Sequence, residues 1–278
     1  MGLFEGMEGL GLSGLNEMNV IDKPHTADIN KENAAALLER KEEDYIFDKK
    51  YQCPVCDLGF TSKCVKTGKL KKQKNDTDLR PIYDFMDPLK YDVVSCEYCG
   101  YSSLARYYGR LSNHQIMELK NKVGKGFKGL EDKEGAYSYD DAILRHKLAL
   151  ICSVVKKAKN GERAYTALKT AWVIRGKRLS NDENAPENKA LYNDEMECLK
   201  NAYDGFMLAI SSEPFPIAGM DENTLKYIMA DIARKLKKYE ESARLIGSVI
   251  TSKSTNKRLK DEALNLKELI KQDIANSR

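Results

Sequence analysis

Residues 51–56, Tyr-Gln-Cys-Pro-Val-Cys, and residues 96–100, Cys-Glu-Tyr-Cys-Gly, decide how this chain is read. Each stretch holds two cysteines separated by two residues. That spacing lets both thiolates of a pair reach one tetrahedral ion at a metal–sulfur distance of ~2.3 Å. Two pairs complete a four-thiolate shell, which leaves no position open for water, so the site is expected to be structural. The expected ligands are Cys53, Cys56, Cys96 and Cys99, holding one Zn²⁺. Gly100 suits the positive-φ turn that closes such a knuckle. Asp57 stands at the matching place in the first pair, and Asp tolerates that region better than most residues. Between Cys56 and Cys96 lie 39 residues, where simple ribbons have about 15–20. The spacing therefore predicts an insertion between the knuckles. Cys64 falls in it, either replacing a ligand or sitting nearby.

Cys-x-x-Cys is also the spacing of thiol oxidoreductases, but that chemistry wants one reactive pair in a βαβ setting. Here there are two pairs and no parallel-sheet pattern. The insertion is basic: residues 61–80 hold Lys63, Lys66, Lys69, Lys71, Lys72, Lys74 and Arg80 against Asp76 and Asp78. A basic loop over 63–80 can grip phosphates, which makes a nucleic-acid-binding ribbon the alternative function. Tyr83, Phe85, Tyr101, Tyr107 and Tyr108 can stack on bases or build the small core of the head. The second reading is preferred.

Outward from the cysteines, the chain of 278 residues is long enough for one or two domains. Residues 1–44 carry 4 Lys/Arg and 10 Asp/Glu, whereas residues 45–125 carry 15 and 9. An acidic segment thus precedes a basic head. Residues 1–15 hold Leu3, Phe4, Met7, Leu10, Leu12 and Leu15 among five glycines, a composition that opposes a stable helix. Residues 1–44 are expected to be a flexible acidic segment, with a short charged helix over 31–44. Glu5 and Glu8 occupy the place where a signal peptide is basic, and Gly6 breaks the myristoylation pattern. The longest apolar run, Leu148 to Val155, falls far short of the ~20 residues of a membrane span. An odd cysteine count without a signal argues for a reducing compartment, so the expected location is cytoplasmic.

From about residue 137 the pattern is helical. The first helix begins at Ser138, with Asp141 completing a capping box, and carries an apolar stripe of Leu144, Leu148, Ile151, Cys152 and Val155. Gly161 is expected to end it. The second runs over 162–179, with Ala164, Leu168, Ala171 and Trp172 on one face. The third carries Tyr192, Met196, Leu199, Tyr203, Phe206, Met207 and Ile210. Three more begin near Asp221, Tyr239 and Asn256. Ala164, Leu168 and Ala171, and again Ser242, Ile246 and Val249, follow the rhythm of tetratricopeptide repeats. Because the two registers do not fit a 34-residue period, an irregular repeat-like array is expected. Cys152 and Cys198 read as small buried residues.

No catalytic constellation is found. His25 lies in the acidic segment, His114 and Glu118 share a helical spacing without a nucleophile, and His146 reads as a surface or packing histidine. No P-loop, GxGxxG or GxSxG motif occurs.

Tyr51 to Cys56, Phe60, Asn75-Asp76-Thr77-Asp78-Leu79, Asp87 to Val93 and Cys96-x-x-Cys99-Gly100-Tyr101 together resemble a bacterial family, domain of unknown function 2225, common among Firmicutes. Ala171 to Arg175 and Tyr227 to Ala243 fit its helical part, and the resemblance covers roughly residues 45–275. It implies a zinc-ribbon-like head, a tetratricopeptide-like tail, a cytoplasmic bacterial protein, and metal ligation by the four paired cysteines. It brings no reaction. The expected fold is α+β, mostly α: a flexible 1–44, a small zinc-ribbon-like β head over 45–125, and a TPR-like helical array over 126–278. The expected function is a non-enzymatic, zinc-stabilised adaptor that binds a protein or peptide partner. Nucleic-acid binding and CxxC redox chemistry are the alternatives.

Overall fold

Three two-stranded antiparallel hairpins precede a helical array in the computed structural model, which describes residues 40–66, 68–109, 111–130 and 134–277. The fold is α+β, mostly α. The expectations for residues 1–39, including most of the charged helix over 31–44, lie outside the described residues.

Strand β1 (Ile46–Gln52) pairs with β2 (Gly59–Val65) in a register running from Ile46 opposite Val65 to Gln52 opposite Gly59. Strand β3 (Lys72–Asn75) pairs with β4 (Pro81–Tyr83) across a register shift, and β5 (Val93–Ser95) pairs with β6 (Ser102–Leu104). The helix α1 (Asn113–Lys122) follows, opened by a capping box between Ser112 and Gln115. It satisfies two backbone N–H groups that a helix start leaves without partners.

The array comprises α2 (Tyr139–Val155), α3 (Asn160–Ser180), α4 (Asn188–Ser212), α5 (Glu222–Lys235), α6 (Tyr239–Thr251) and α7 (Lys257–Asn276). Ser138, Asp221 and Asn256 cap their helices as the sequence implies. Gly161 does not end a helix; it lies in the first turn of α3, where a Cβ would stand 2.7 Å from Ile217. The helix before it stops at Val155, with Lys157 at φ +50. Small residues bring the helices close: a Cβ on Gly205 would stand 2.9 Å from that of Ala164. Ser242 of α6 donates to the Ala230 carbonyl of α5 at 2.7 Å. Leu168, Ala171, Val173, Leu199, Phe206, Met229, Ile232 and Val249 form the core of the array, with no exposed surface.

One helix turns differently from its apolar pattern. Leu144 and Ile151 of α2 are 49% and 51% exposed, with Val154 at 53%. The buried face instead carries Ala142, Ile143, Arg145, His146, Ala149, Cys152 and Ser153. This face meets the head, whose surface offers a backbone carbonyl, an aromatic ring and room for small groups. His146 Nε2 lies 3.1 Å from the Leu89 carbonyl oxygen, and the Arg145 guanidinium lies 4.1 Å from the Tyr137 ring centroid.

The hairpin β3–β4 is the second tie between head and array. Its turn, Asp76-Thr77-Asp78, carries Leu79 at φ +64. Arg175 on α3 approaches Asp76, Asp78 and Glu195 at 2.7, 2.7 and 2.6 Å. Lys235 on α5 lies 2.9 Å from Asp78 and 2.7 Å from Asp231, and the Thr77 hydroxyl donates to Asp231 at 2.8 Å. Burial alone would raise the Asp78 carboxyl, but Lys235 and Arg175 prevail and hold it well below the usual carboxylate range. Removing one partner of such a network leaves an uncompensated buried charge. Glu42–Arg278 accordingly form a single compact unit.

Candidate metal centre

Each cysteine pair occupies the turn of a hairpin, Cys53 and Cys56 between β1 and β2, Cys96 and Cys99 between β5 and β6. The two turns repeat one backbone pattern. The Asp57 N–H donates to the Cys53 carbonyl at 2.9 Å, and the Gly100 N–H donates to the Cys96 carbonyl at 3.0 Å. The Cys53 N–H donates to the Leu58 carbonyl at 3.0 Å, and the Cys96 N–H to the Tyr101 carbonyl at 2.9 Å. Asp57 and Gly100 both take positive φ, +62 and +72. The matching turns aim their sulfurs at one point.

All four sulfurs lie within 4.8 Å of one another. Cys53 Sγ is 3.6 Å from Cys99 Sγ, and Cys56 Sγ is 3.6 Å from Cys96 Sγ. A tetrahedral ion at ~2.3 Å from each sulfur sets them about 3.8 Å apart, so the donor set fits such an ion. The charge balance points the same way. The Cys96 and Cys99 thiols hydrogen-bond to the Cys53 sulfur and pull its pKa down to about 2, whereas the same contact pushes Cys96 up to about 12. Four thiolates brought this close together require a positive ion among them. The group can hold a metal ion.

The family described as "uncharacterized protein conserved in bacteria (DUF2225)" matches residues 46–270. The chain belongs to that family. No curated protein and no solved structure matches it. The family span takes in both knuckles, the β3–β4 hairpin and all but the end of α7.

The remaining candidates fall elsewhere. Cys64 stands on β2 with its sulfur 3.4 Å from the Tyr51 hydroxyl, outside the four-sulfur group. Cys152 is buried, as its small size suggests, yet it packs in the same cluster as Cys53, Val55, Cys96 and Cys99. Its sulfur accepts from the Ser102 N–H at 3.4 Å, and its thiol donates to the Gly100 carbonyl at 3.6 Å. Burial pushes the Cys152 thiol up to about 11. Sequence reasoning missed this link between α2 and the second knuckle, and also Phe127, whose ring covers Gly100 so closely that a Cβ there would stand 2.6 Å away. Neither residue carries a spacing signal. His146 is a packing histidine, fully buried, and burial lowers its pKa to about 4. His114 is exposed on α1, where Glu118 pairs with Lys122 at 2.6 Å. His25 lies outside the described residues.

The basic stretch is not one uniform patch. Lys63 and Arg80 are buried and paired with Asp48 and Asp87 at 3.2 and 2.8 Å, while Lys69, Lys71, Lys72 and Lys74 are exposed. Of the aromatics, Tyr101 is fully buried against Tyr108 at 5.2 Å between ring centroids, and Phe85 packs on Tyr45 at 5.2 Å. No helix among the described residues is long and apolar enough to cross a membrane.

Proposed function

We propose that the chain is a non-enzymatic adaptor whose head is stabilised by one structural Zn²⁺ on Cys53, Cys56, Cys96 and Cys99, acting in the cytoplasm. The observation that carries the reading is the convergence of four sulfurs within 4.8 Å. When bound, the ion supplies cross-linking free energy and no open coordination position. The all-sulfur set favours zinc over harder cations such as magnesium or calcium. The cluster of four also argues against dithiol exchange, which uses one accessible pair. An irregular tetratricopeptide-like array then serves as the partner-binding half, for a protein or peptide. Its support is the exposed apolar face of α2, with Leu144, Ile151 and Val154 each about half exposed. Elemental analysis of protein purified under reducing conditions without added metal tests the first half, with about one zinc per chain expected. No bound metal, with reactive thiols, overturns it in favour of redox chemistry. Co-purification with wild type and with a Leu144→Glu, Ile151→Glu variant tests the second half. A partner kept by the first and lost by the second is expected; identical captures remove the adaptor surface.

Nucleic-acid binding is a second reading, favoured by four exposed lysines with no ion pair among the described residues. It expects salt-sensitive binding that Lys69, Lys71 and Lys72→Glu abolishes. Absence of binding at low salt removes it.

A further inference from the structure

Arg106 stands apart from the four-sulfur centre, in the short turn Ala105–Tyr107 that follows β6. Its guanidinium carbon lies 5.3 Å from the Tyr107 ring centroid and 5.2 Å from that of Tyr165. One nitrogen, Nη1, donates to the Ala218 carbonyl at 2.9 Å. The turn that supplies this carbonyl is cut to fit: a Cβ on Gly219, at φ +77, would stand 2.5 Å from Arg106 Nη2. The side chain is thus held in place by two rings and one carbonyl, with no acidic partner among the described residues. An arginine has five donors in a planar fork, and one bond uses a single donor. The other four are left for something else.

The guanidinium lines a cleft of about 370 Å³ together with Tyr107, Lys159, Glu162, Glu213 and Phe215. The two carboxylates there are already engaged. Glu162 pairs with Lys156 at 2.6 Å, and Glu213 accepts the Gly161 N–H at 2.9 Å. Lys159, by contrast, makes no ion pair among the described residues. Lys169, nearby, is neutralised by Asp92 at 2.7 Å. The cleft therefore presents two cations, Arg106 and Lys159, with no ion pair among the described residues, against one carboxylate, Glu213, that only a neutral N–H engages, so its remaining charge is positive. Pro214, Pro216 and the rings of Tyr107 and Phe215 give it apolar walls, and the Tyr107 hydroxyl is buried without a hydrogen-bond partner. The volume lies at the small end of the roughly 300–1,000 Å³ of ligand pockets.

We propose that this cleft binds a small molecule that bears an oxyanion on a flat apolar body, the oxyanion on the Arg106 fork beside Lys159 and the body against Tyr107 and Phe215. A clamp for the 214–220 turn would need only the bond to Ala218. A fork fixed by aromatic rings and left open is the arrangement that recognises carboxylate or phosphate with two parallel hydrogen bonds. Both oxyanions share that chemistry, and the test separates them.

The full chain is titrated with benzoate, phenyl phosphate and inorganic phosphate, each up to about 10 mM, while backbone amide NMR signals of Gly161 and Gly219 are followed. Saturable shifts with one of the two aromatic anions are expected, and the tighter one names the source. Inorganic phosphate is expected to bind at least about tenfold more weakly, having no body for the walls. Arg106→Lys keeps the charge but loses the fork, and about tenfold weaker binding is expected. Lys159→Ala, at an exposed position, serves as the second variant should the first not fold, with affinity reduced about threefold. No saturable shift with either aromatic anion overturns the proposal, and so does unchanged affinity in the variants. Equal affinity for inorganic phosphate overturns the place given to the flat body.

Discussion

The first knuckle closes on Asp57 and the second on Gly100, through the same pair of backbone hydrogen bonds, but they sit in different surroundings. Strand β1 of the first is mostly exposed, with only Ile46 buried, and β2 buries Phe60, Ser62 and Lys63 while Gly59 and Thr61 are exposed. Strands β5 and β6 around the second are buried throughout, against α2. Cys152 bonds the second knuckle from α2, and His146 approaches the Leu89 carbonyl just before β5. The comparison teaches which half would depend more on a bound ion. The inner hairpin is buried throughout, whereas the outer one, tied by Ile46, Phe60 and the Lys63 N–H to Tyr137, has less tertiary support and leans more on the shared sulfur cluster. Stripping the metal with a chelator under reducing conditions should therefore remove hydrogen-exchange protection from 46–65 first. Metal binding contributes about 10 kcal/mol or more in small zinc domains, enough to decide whether a two-stranded hairpin exists. Strands β5 and β6 and the helical circular dichroism should persist. Equal loss in both hairpins would break the comparison and make the head one metal-dependent unit.

Gly100→Ala is the next largest test. The new Cβ would meet the Phe127 ring at 2.6 Å and force a φ of +72 on an L-residue. Left-handed backbone and overpacking each cost about 1–3 kcal/mol, so a loss of roughly 2–5 kcal/mol in urea unfolding is expected. A loss below about 1 kcal/mol would mean that Phe127 yields easily and does not lock the inner knuckle.

His146 tests the same support by pH. It faces the Leu89 carbonyl, Asp92, Asp87 and Lys169, and burial lowers its pKa to about 4. A base whose folded pKa lies below its unfolded value near 6.5 favours the fold when neutral. Its contribution is complete above that unfolded value and is lost as pH falls from there towards about 4. Across that window the loss is roughly 3 kcal/mol. Asp76 and Asp78, whose pKa values are lowered, weaken only at more acid pH, below the unfolded carboxylate range. Urea midpoints of wild type and His146→Gln between about pH 7 and 5 should diverge, with the variant flatter. Parallel slopes would remove His146 from the support of the inner knuckle.

What the residues revealed beforehand divides along a physical line. The four cysteines were legible because ligand reach within a pair is a local matter of two intervening residues. Helix starts at Ser138, Asp221 and Asn256 were legible because a cap needs only residues within one turn. The facing of α2 was not. Leu144 and Ile151 of its apolar stripe point outward, while Cys152 of the same stripe turns inward with Arg145 and His146, held by specific contacts that periodicity does not encode. Strand β3, Lys-Gln-Lys-Asn, is too polar to show a strand pattern and exists through its pairing with β4. The Asp76-Thr77-Asp78 turn was read as two acids inside a basic loop. Its partners Arg175 and Lys235 lie 99 and 157 residues away, beyond any local signal.

The smallest expected effect is at the outer knuckle. Asp57 takes the same left-handed turn as Gly100, yet no ring covers it, and Gln52 Nε2 donates to its carbonyl and carboxylate at 2.5 and 3.1 Å. Asp57→Gly relieves a backbone conformation that costs an L-residue about 1 kcal/mol, and it loses one exposed hydrogen bond and some unfolded-state restriction. These nearly cancel, so a change within about 0.5 kcal/mol is expected. Asp57→Ala keeps the strain and loses the side-chain bond, so it should cost about 1 kcal/mol. If Asp57→Gly instead cost as much as Gly100→Ala, the Asp57 carboxylate would be a structural part of the knuckle, and its likeness to the second would end at the backbone.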